Sequence, residues 1–397
     1  MEVESIAVVG AGTMGASIAV ALASHGYPVI LKEINEELLE KGLENIDRIQ
    51  KKRIAKGESK EKVDEDHSRI IATTSYEKFC DVDLVIEAVP ETIEIKKKVF
   101  QDLDEYCNLN AILATNTSSL PITQIAEFTK RPDKVVGLHF FNPAHLMKLV
   151  EVIPGLETSE DTVQTSVELG HSLGKLAVRV EECASFLVNR LLGRYMNESL
   201  WCLIDGLASV EEIDNAARDY VVPIGPLALR DMNGADIGLA VSSFNYKEYG
   251  ERYEVPFILE AMVEKNLLGR KVGKGFYLYD KETRKRTKEN PEILEIIADK
   301  QKKKVKKIKF KVEQLFLPMI NEAFIAIQER VCHPSDLDPA LMAGLGMRKG
   351  PIQLANEIGL PDCLKLIEEN FELYGERYRP APLLKRFVWA KRTSVVF

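Results

Sequence analysis

Short apolar runs separated by helical stretches organise the first half of the chain. Ile6 to Val9 is a compact apolar run that reads as a buried parallel strand. An Ala-rich stretch follows, predicted as a helix that Gly26 can terminate. A second strand, Pro28 to Lys32, ends at Glu33. Further strand-like runs are VDLVIEAVP (82–90), AILATN (111–116), KVVGLHF (134–140), KLVEVI (148–153) and LAVRV (176–180). Most are separated by helical segments, the pattern of an α/β, doubly wound parallel sheet. Ligands of such sheets lie outside the carboxyl ends of the strands. Those ends here carry Ala88 to Glu91, Asn116 to Ser119 and His139 to Asn142. Between Asn35 and Ser75 the chain makes a long excursion, in which 36–53 reads as a helix with Lys51, Lys52 and Arg53 at its end and Lys56 beyond. On charge alone that end is a solvated face.

The second half has another pattern, written twice. YGERY occurs at 249–253 and again at 374–378, an offset of 125. At the same offset Gly225-Pro226 meets Gly350-Pro351, Gly234 meets Gly359, and Leu259 meets Leu384. One residue of slippage aligns Asn197-Glu198 with Asn321-Glu322 and Asp214 with Asp338. The shared grammar is a helix carrying Asn-Glu, an acidic helix start, a Gly-Pro turn and another helix. It predicts an internal repeat of an all-helical module. Only the first copy continues into GRKVGKGFYLYD (269–280). The stretch KQKKKVKKIKFK (300–311) between the copies lacks aromatic interleaving, so it reads as a solvated lead into copy two rather than a nucleic-acid site.

Composition narrows the class. With 397 residues, 45% hydrophobic and 29% charged, the chain fits two or three globular domains. A net charge of −8 disfavours nucleic acid as a partner. Six cysteines lie scattered without a Cys-x-x-Cys pair, so neither a disulfide framework nor a metal site is expected. The first strand starts at Ile6, which leaves no room for a signal peptide, and no apolar stretch approaches the ~20 residues of a membrane span. The cytoplasm is the default location.

The first strand breaks into Gly10-x-Gly12-x-x-Gly15, with Thr13 and Met14 inside the pattern. In a Rossmann-like turn Gly10 permits the tight bend, Gly12 lets backbone approach a pyrophosphate, and Gly15 lets helix and strand pack closely. The helix amino terminus offers free N–H groups to the phosphates. A glycine pattern alone also describes an unliganded turn. Strand before, helix after and Glu33 standing 18 residues beyond Gly15 together favour a dinucleotide. Glu33 should accept the adenosine ribose hydroxyl and repel a 2′-phosphate, and no arginine occupies 34 or 35. NAD is therefore expected over NADP.

Of six histidines, His139 ends a predicted strand, and Glu151 interrupts the apolar LVEVI twelve residues later. A carboxylate on an apolar strand needs a partner or solvent. A turn through Asn142-Pro143 could join the two, either as a general base with its supporting carboxylate or as a structural ion pair.

GAGTMG, EAVPE, ATNTSSL, GLHFFNP, KLVEVI and FLVNR, in this order and spacing, resemble the L-3-hydroxyacyl-CoA dehydrogenases, from Ile6 to about Asp280. The remainder resembles the duplicated tail of multifunctional fatty-acid-oxidation enzymes. The resemblance implies that His139 removes the 3-hydroxyl proton, Glu151 holds and charge-balances it, Ser118 bonds the substrate oxygen, and Asn189 completes the pocket. It further implies cofactor contacts at Ala88, Glu91, Lys96, Asn116, Ser118, Asn142 and Lys271, and a coenzyme A contact at Lys52 that draws the 51–56 cluster toward CoA phosphates. The substrate would be an acyl-CoA thioester, probed with acetoacetyl-CoA. Two departures stand out: Ala184-Ser185 replace the family's usual Pro-Gly, and Glu33 stands where aspartate is commoner. Cys183 reads as structural. Domains are expected at 1–184 (NAD-binding), 185–300 (helical copy one) and 301–397 (degenerate copy two), with copy two covering copy one so that one chain forms a pseudo-dimer; a homodimer is the other option. Competing readings are a gulonate-type sugar-acid dehydrogenase and a lambda-crystallin-like NAD-binding structural protein. Retention of Ser118, His139, Glu151 and Asn189 argues for an enzyme, and Lys52 with Lys271 for the thioester.

Overall fold

The computed structural model describes residues 3–300 and 309–397; most of the lysine-rich 300–311 stretch lies outside the described residues. The chain divides into two compact units, Met1–Phe186 and Leu187–Phe397. The change of domain expected at 184–185 lies two residues before that division, and the two helical copies fall in one unit.

The first unit runs β1 (Ile6–Val9), α1 (Thr13–Ser24), β2 (Val29–Lys32), α2 (Glu36–Ala55), α3 (Lys60–Ser68), β3 (Ile70–Thr73), β4 (Leu84–Glu87), α4 (Ile93–Tyr106), β5 (Ile112–Thr115), α5 (Ile122–Ala126), β6 (Val135–Phe140), β7 (Leu149–Pro154), α6 (Glu160–Ser172) and β8 (Leu176–Arg179). These strands make one sheet in the order β3-β2-β1-β4-β5-β6-β7-β8. The pattern of apolar runs predicts strands where β1, β2 and β4 to β8 form. It does not reveal α3 or β3, which fill the excursion after Asn35. β3 is short and only partly buried, so it lacks the continuous apolar signal of a central strand. The Asn35 side chain accepts the Leu38 N–H and starts α2, with Glu36 and Glu37 in its first turn.

The sheet is parallel except at one pair. β3 through β6 run parallel, but β7 is antiparallel to β6, and β8 is parallel to β7. The segment between β6 and β7 has no helix long enough for a crossover, so the chain reverses instead. Both strands of this pair are buried throughout.

The second unit runs α7 (Val188–Ile204), α8 (Val210–Tyr220), α9 (Pro226–Asn233), α10 (Ala235–Tyr249), α11 (Phe257–Glu264), β9 (Tyr277–Tyr279), β10 (Arg286–Glu289), α12 (Pro291–Lys300), α13 (Glu313–Gln328), α14 (Pro334–Leu345), α15 (Pro351–Ile358), α16 (Leu360–Tyr374) and α17 (Pro382–Trp389). The order α7 to α11 recurs as α13 to α17. Repeated letters do repeated work: Asp214 accepts the N–H groups of Leu227 and Ala228 at 2.8 and 3.0 Å, and Asp338 those of Ile352 and Gln353 at 2.9 and 2.8 Å. Each acidic residue thereby receives free donors of the helix that follows a Gly-Pro turn. Each GERY forms a 3-10 turn, Gly250–Tyr253 and Gly375–Tyr378.

The two copies pack on each other. α7 lies along α13 and the two GERY turns touch. Tyr195 stacks on Phe316 with centroids 4.7 Å apart. Glu322, fully buried, pairs with Arg190 at 2.7 Å and Arg252 at 3.1 Å. Tyr195 and Phe316 are both buried where the copies meet.

Candidate active site

The loop after β1 assigns each glycine a task. Gly10 has φ 98°, and a Cβ there would lie 2.7 Å from the Ala88 carbonyl oxygen. At Gly15 a Cβ would lie 1.7 Å from the Gly10 oxygen, so only glycine lets α1 approach β1. Gly12 faces open space, Gly12 and Thr13 are exposed, and Met14 is half-buried. No side chain caps α1, which leaves its amino-terminal N–H groups free for an anion. Glu33 ends β2 beside this loop. Its carboxylate accepts the N–H of Ala11 at 2.7 Å and of Ile34 at 2.7 Å.

At the end of β4, buried Glu87 accepts from Lys96 Nζ (2.7 Å), Thr115 Oγ1 (2.6 Å) and Val89 N–H (2.8 Å). Lys96 is itself buried and lies 3.3 Å from Glu91. Its ammonium thus lies between two carboxylates, Glu87 and Glu91. Glu91 accepts Thr117 Oγ1 (2.5 Å), the N–H groups of Ser118 and Ser119 (2.9 and 3.2 Å) and, at 3.4 Å, Ser118 Oγ. Burial pushes its pKa up, but the Lys96 charge and these hydrogen bonds outweigh that and hold it below the usual carboxylate value. Ser118 is exposed beside it and Ala88 half-buried. Asn116 Oδ1 accepts the Phe140 N–H at 2.9 Å, tying the ends of β5 and β6 together. Asn142 is exposed and precedes Pro143 through a cis bond.

His139 and Glu151 are direct partners in the β6–β7 register. His139 Nδ1 lies 2.7 Å from Glu151 Oε2; Glu151 is fully buried and His139 nearly so. An ionised carboxylate only accepts, so Nδ1 carries the hydrogen in this contact, and in the neutral form of the ring Nε2 is the nitrogen with the lone pair. The Phe141 and Phe186 rings flank the imidazole with centroids at 4.6 and 5.8 Å.

The basic cluster is smaller than it looks in sequence. Arg53 is buried and bonded to Glu58 (2.6 Å) and Asp66 (2.7 Å), so Lys51, Lys52 and Lys56 are its exposed members. Lys52 and Lys56 make themselves felt at His145, in the loop after β6. Burial first, then the charges of Arg53, Lys56, Lys175 and Lys52, push its pKa below the usual imidazole value. Its Nδ1 lies 2.8 Å from Ser17 Oγ, on α1. In the second unit, Asn189 sits partly exposed in the first turn of α7, and Lys271 pairs with Asp236 at 2.6 Å.

The model of the 3-hydroxyacyl-CoA dehydrogenase NAD-binding domain matches residues 5–183, and that of the same family's C-terminal domain matches 186–279 and again 310–395. The chain belongs to the 3-hydroxyacyl-CoA dehydrogenase family. Within it, the 3-hydroxybutyryl-CoA dehydrogenase of Clostridioides difficile is 47% identical over 279 residues, covering 70% of this chain and 99% of that protein. The glyoxysomal fatty acid beta-oxidation multifunctional protein MFP-a of Brassica napus is 35% identical over 397 residues, covering 96% of this chain and 54% of that protein. The chain thus spans about half the length of the multifunctional relatives it matches. The crystal structure of 3-hydroxybutyryl-CoA dehydrogenase from Escherichia coli superposes with TM-score 0.87 at 31% identity, covering 98% and 99% of the two chains. The family's cofactor, NAD, fits the open space at Gly12 and the uncapped start of α1.

Three groups near the predicted residues escape the sequence reading. Glu87 gave the same signal as Glu151, a carboxylate ending an apolar run, and its partners Lys96 and Thr115 are what make it tolerable there. His145 gave none, because its neighbours Ser17, Lys52 and Lys56 are distant in sequence. Phe186 stands beside His139 only through the fold, in a backbone with φ 51° next to Ser185 at φ 61°. The left-handed φ at Ser185 suits the glycine the family usually has there. Among the described residues no helix is long and apolar enough to cross a membrane.

Proposed function

We propose that the chain catalyses the reversible, NAD-dependent oxidation of (S)-3-hydroxyacyl-CoA to 3-ketoacyl-CoA, on short acyl chains such as 3-hydroxybutyryl-CoA. The observation that carries it is the buried 2.7 Å pair of His139 and Glu151. Bound NAD supplies the acceptor for the hydride that leaves the substrate's third carbon. The protein supplies the base: Nε2 of His139 takes the hydroxyl proton while Glu151 balances the imidazolium. The exposed Ser118 hydroxyl, held near Glu91, binds the substrate oxygen. Glu33 takes the adenosine ribose, Ala88, Asn116 and Asn142 border the nicotinamide half, and Lys52 meets a CoA phosphate. Asn189 and Lys271 complete the assignment for substrate and cofactor. The name of the 47% identical Clostridioides difficile relative supports the short acyl chain.

A base, its carboxylate and a serine retained together favour this reading over an NAD-binding structural protein. The exposed lysines at 51, 52 and 56 favour a phosphate-bearing thioester over a free sugar acid. NADH oxidation measured with acetoacetyl-CoA and with free acetoacetate tests the proposal. Strong preference for the thioester is expected; equal rates overturn the CoA assignment, and no turnover of either overturns the activity.

A further inference from the structure

Arg194, buried at 4% exposure, bridges the two copies in an unusual way. Its Nη1 donates to the carbonyl of Arg252 and its Nη2 to the carbonyl of Arg377. Residues 252 and 377 are counterparts, both third in GERY, so one guanidinium holds the same carbonyl of each copy. The turns that carry them touch each other, as do the counterpart helices α7 and α13. Equivalent elements in mutual contact define a local two-fold axis, and the guanidinium straddles it. At the offset that aligns Asn197-Glu198 with Asn321-Glu322, the counterpart of Arg194 is Pro318, buried inside α13. The counterpart of Arg190, which pairs with Glu322, is Gln314.

We propose that the axis is a single-occupancy arginine site, which makes the two faces unlike and commits copy one to pairing with copy two rather than with another copy one. An asymmetric bridge serves both carbonyls with one side chain. Two identical copy-one faces would bring two guanidiniums to one axis position, each with its donors aimed at the same two carbonyls. Like charges would meet where burial already pushes the pKa of a single guanidinium below its usual value. A proline on the opposing helix avoids both problems. Copy two is thereby a matched partner, an arrangement that discriminates by exclusion as well as attraction.

The intact chain tests this without truncation. Pro318→Arg gives copy two the copy-one residue and so builds the excluded pairing inside one molecule. Its Tm should fall by roughly 5–10 °C. Arg194→Leu, which strips both carbonyls of their donor, should also lower Tm. The double variant Arg194→Leu/Pro318→Arg returns one arginine to the axis from the other side, and should recover at least half of the Pro318→Arg loss. Recovery would show that arginine fits at 318 and that only the second guanidinium was harmful. A Pro318→Arg chain as heat-stable as the parent would overturn the proposal. So would a double variant whose losses simply add.

Discussion

His139 and Glu151 face each other across an antiparallel strand pair joined through the Asn142-Pro143 segment, and the pairing register places Nδ1 2.7 Å from Oε2. Facing residues of such a pair hold their Cβ atoms about 4.5–5.5 Å apart, so a histidine and a glutamate meet without distortion. His139→Ala should lower kcat by roughly 10² to 10⁴. Glu151→Gln should impair the same step and shift the pH–rate profile, because the amide no longer balances the imidazolium. Folded variants with parental turnover would make the pair structural.

Glu33 should set cofactor choice. A carboxylate and a 2′-phosphate about 4 Å apart at a protein surface repel by about 4 kcal/mol per charge pair, so at least a tenfold preference for NAD over NADP is expected. kcat/KM with the two cofactors measures it. Glu33→Ala should narrow the gap. Equal use by the parent would remove Glu33 from the ribose.

Lys52→Ala should raise KM for the acyl-CoA thioester several-fold and leave KM for NADH unchanged, since Lys52 is exposed and its charge reaches the loop after β6. Raised salt should mimic it in part. A change confined to NADH would move the residue to the cofactor.

His145 should make stability pH-dependent. Its folded pKa lies below the usual 6.5, mainly through burial, so the unfolded chain binds the proton more readily. Stability from this site is fully present above pH 6.5 and is lost as pH falls through 6.5 toward the folded value. His145→Gln should shrink the fall in Tm between pH 7.5 and 5.5. An unchanged fall would mean that the groups around His145 do not set that slope.

Legibility followed the reach of each signal. The glycines of the first turn could be read because each answers a local need, a positive φ at Gly10 or a close approach at Gly15. Glu151 could be read because burial makes a lone carboxylate conspicuous. α3 and β3 could not, since a short, partly exposed edge strand carries no periodic pattern. Nor could the burial of Arg53 among Glu58 and Asp66, which only the packing of α2 on α3 creates. The YGERY repeat is visible as letters, but the asymmetry at Arg194 and Pro318 gains meaning only from the packing that brings the Arg252 and Arg377 carbonyls to one guanidinium.

Copy two should be needed to keep copy one folded. Arg190 finds its carboxylates on copy two, Glu322 at 2.7 Å and Glu329 at 2.7 Å, and Tyr195 stacks on Phe316. A chain stopped near residue 305 would leave Arg190 without those partners and expose the apolar face of α7. Removing one side of a buried ion pair costs about 3–5 kcal/mol, before any loss of apolar burial. The shortened chain should melt well below the parent and aggregate, while the full chain, with its partner tethered at high effective concentration, should run as a monomer on dilution. Light scattering and thermal melts of both chains decide it. A discrete dimer of the shortened chain would count against the exclusion at Arg194 while leaving the need for a cover intact. A shortened chain that stays monomeric, soluble and as heat-stable as the parent would end the idea that copy two covers copy one.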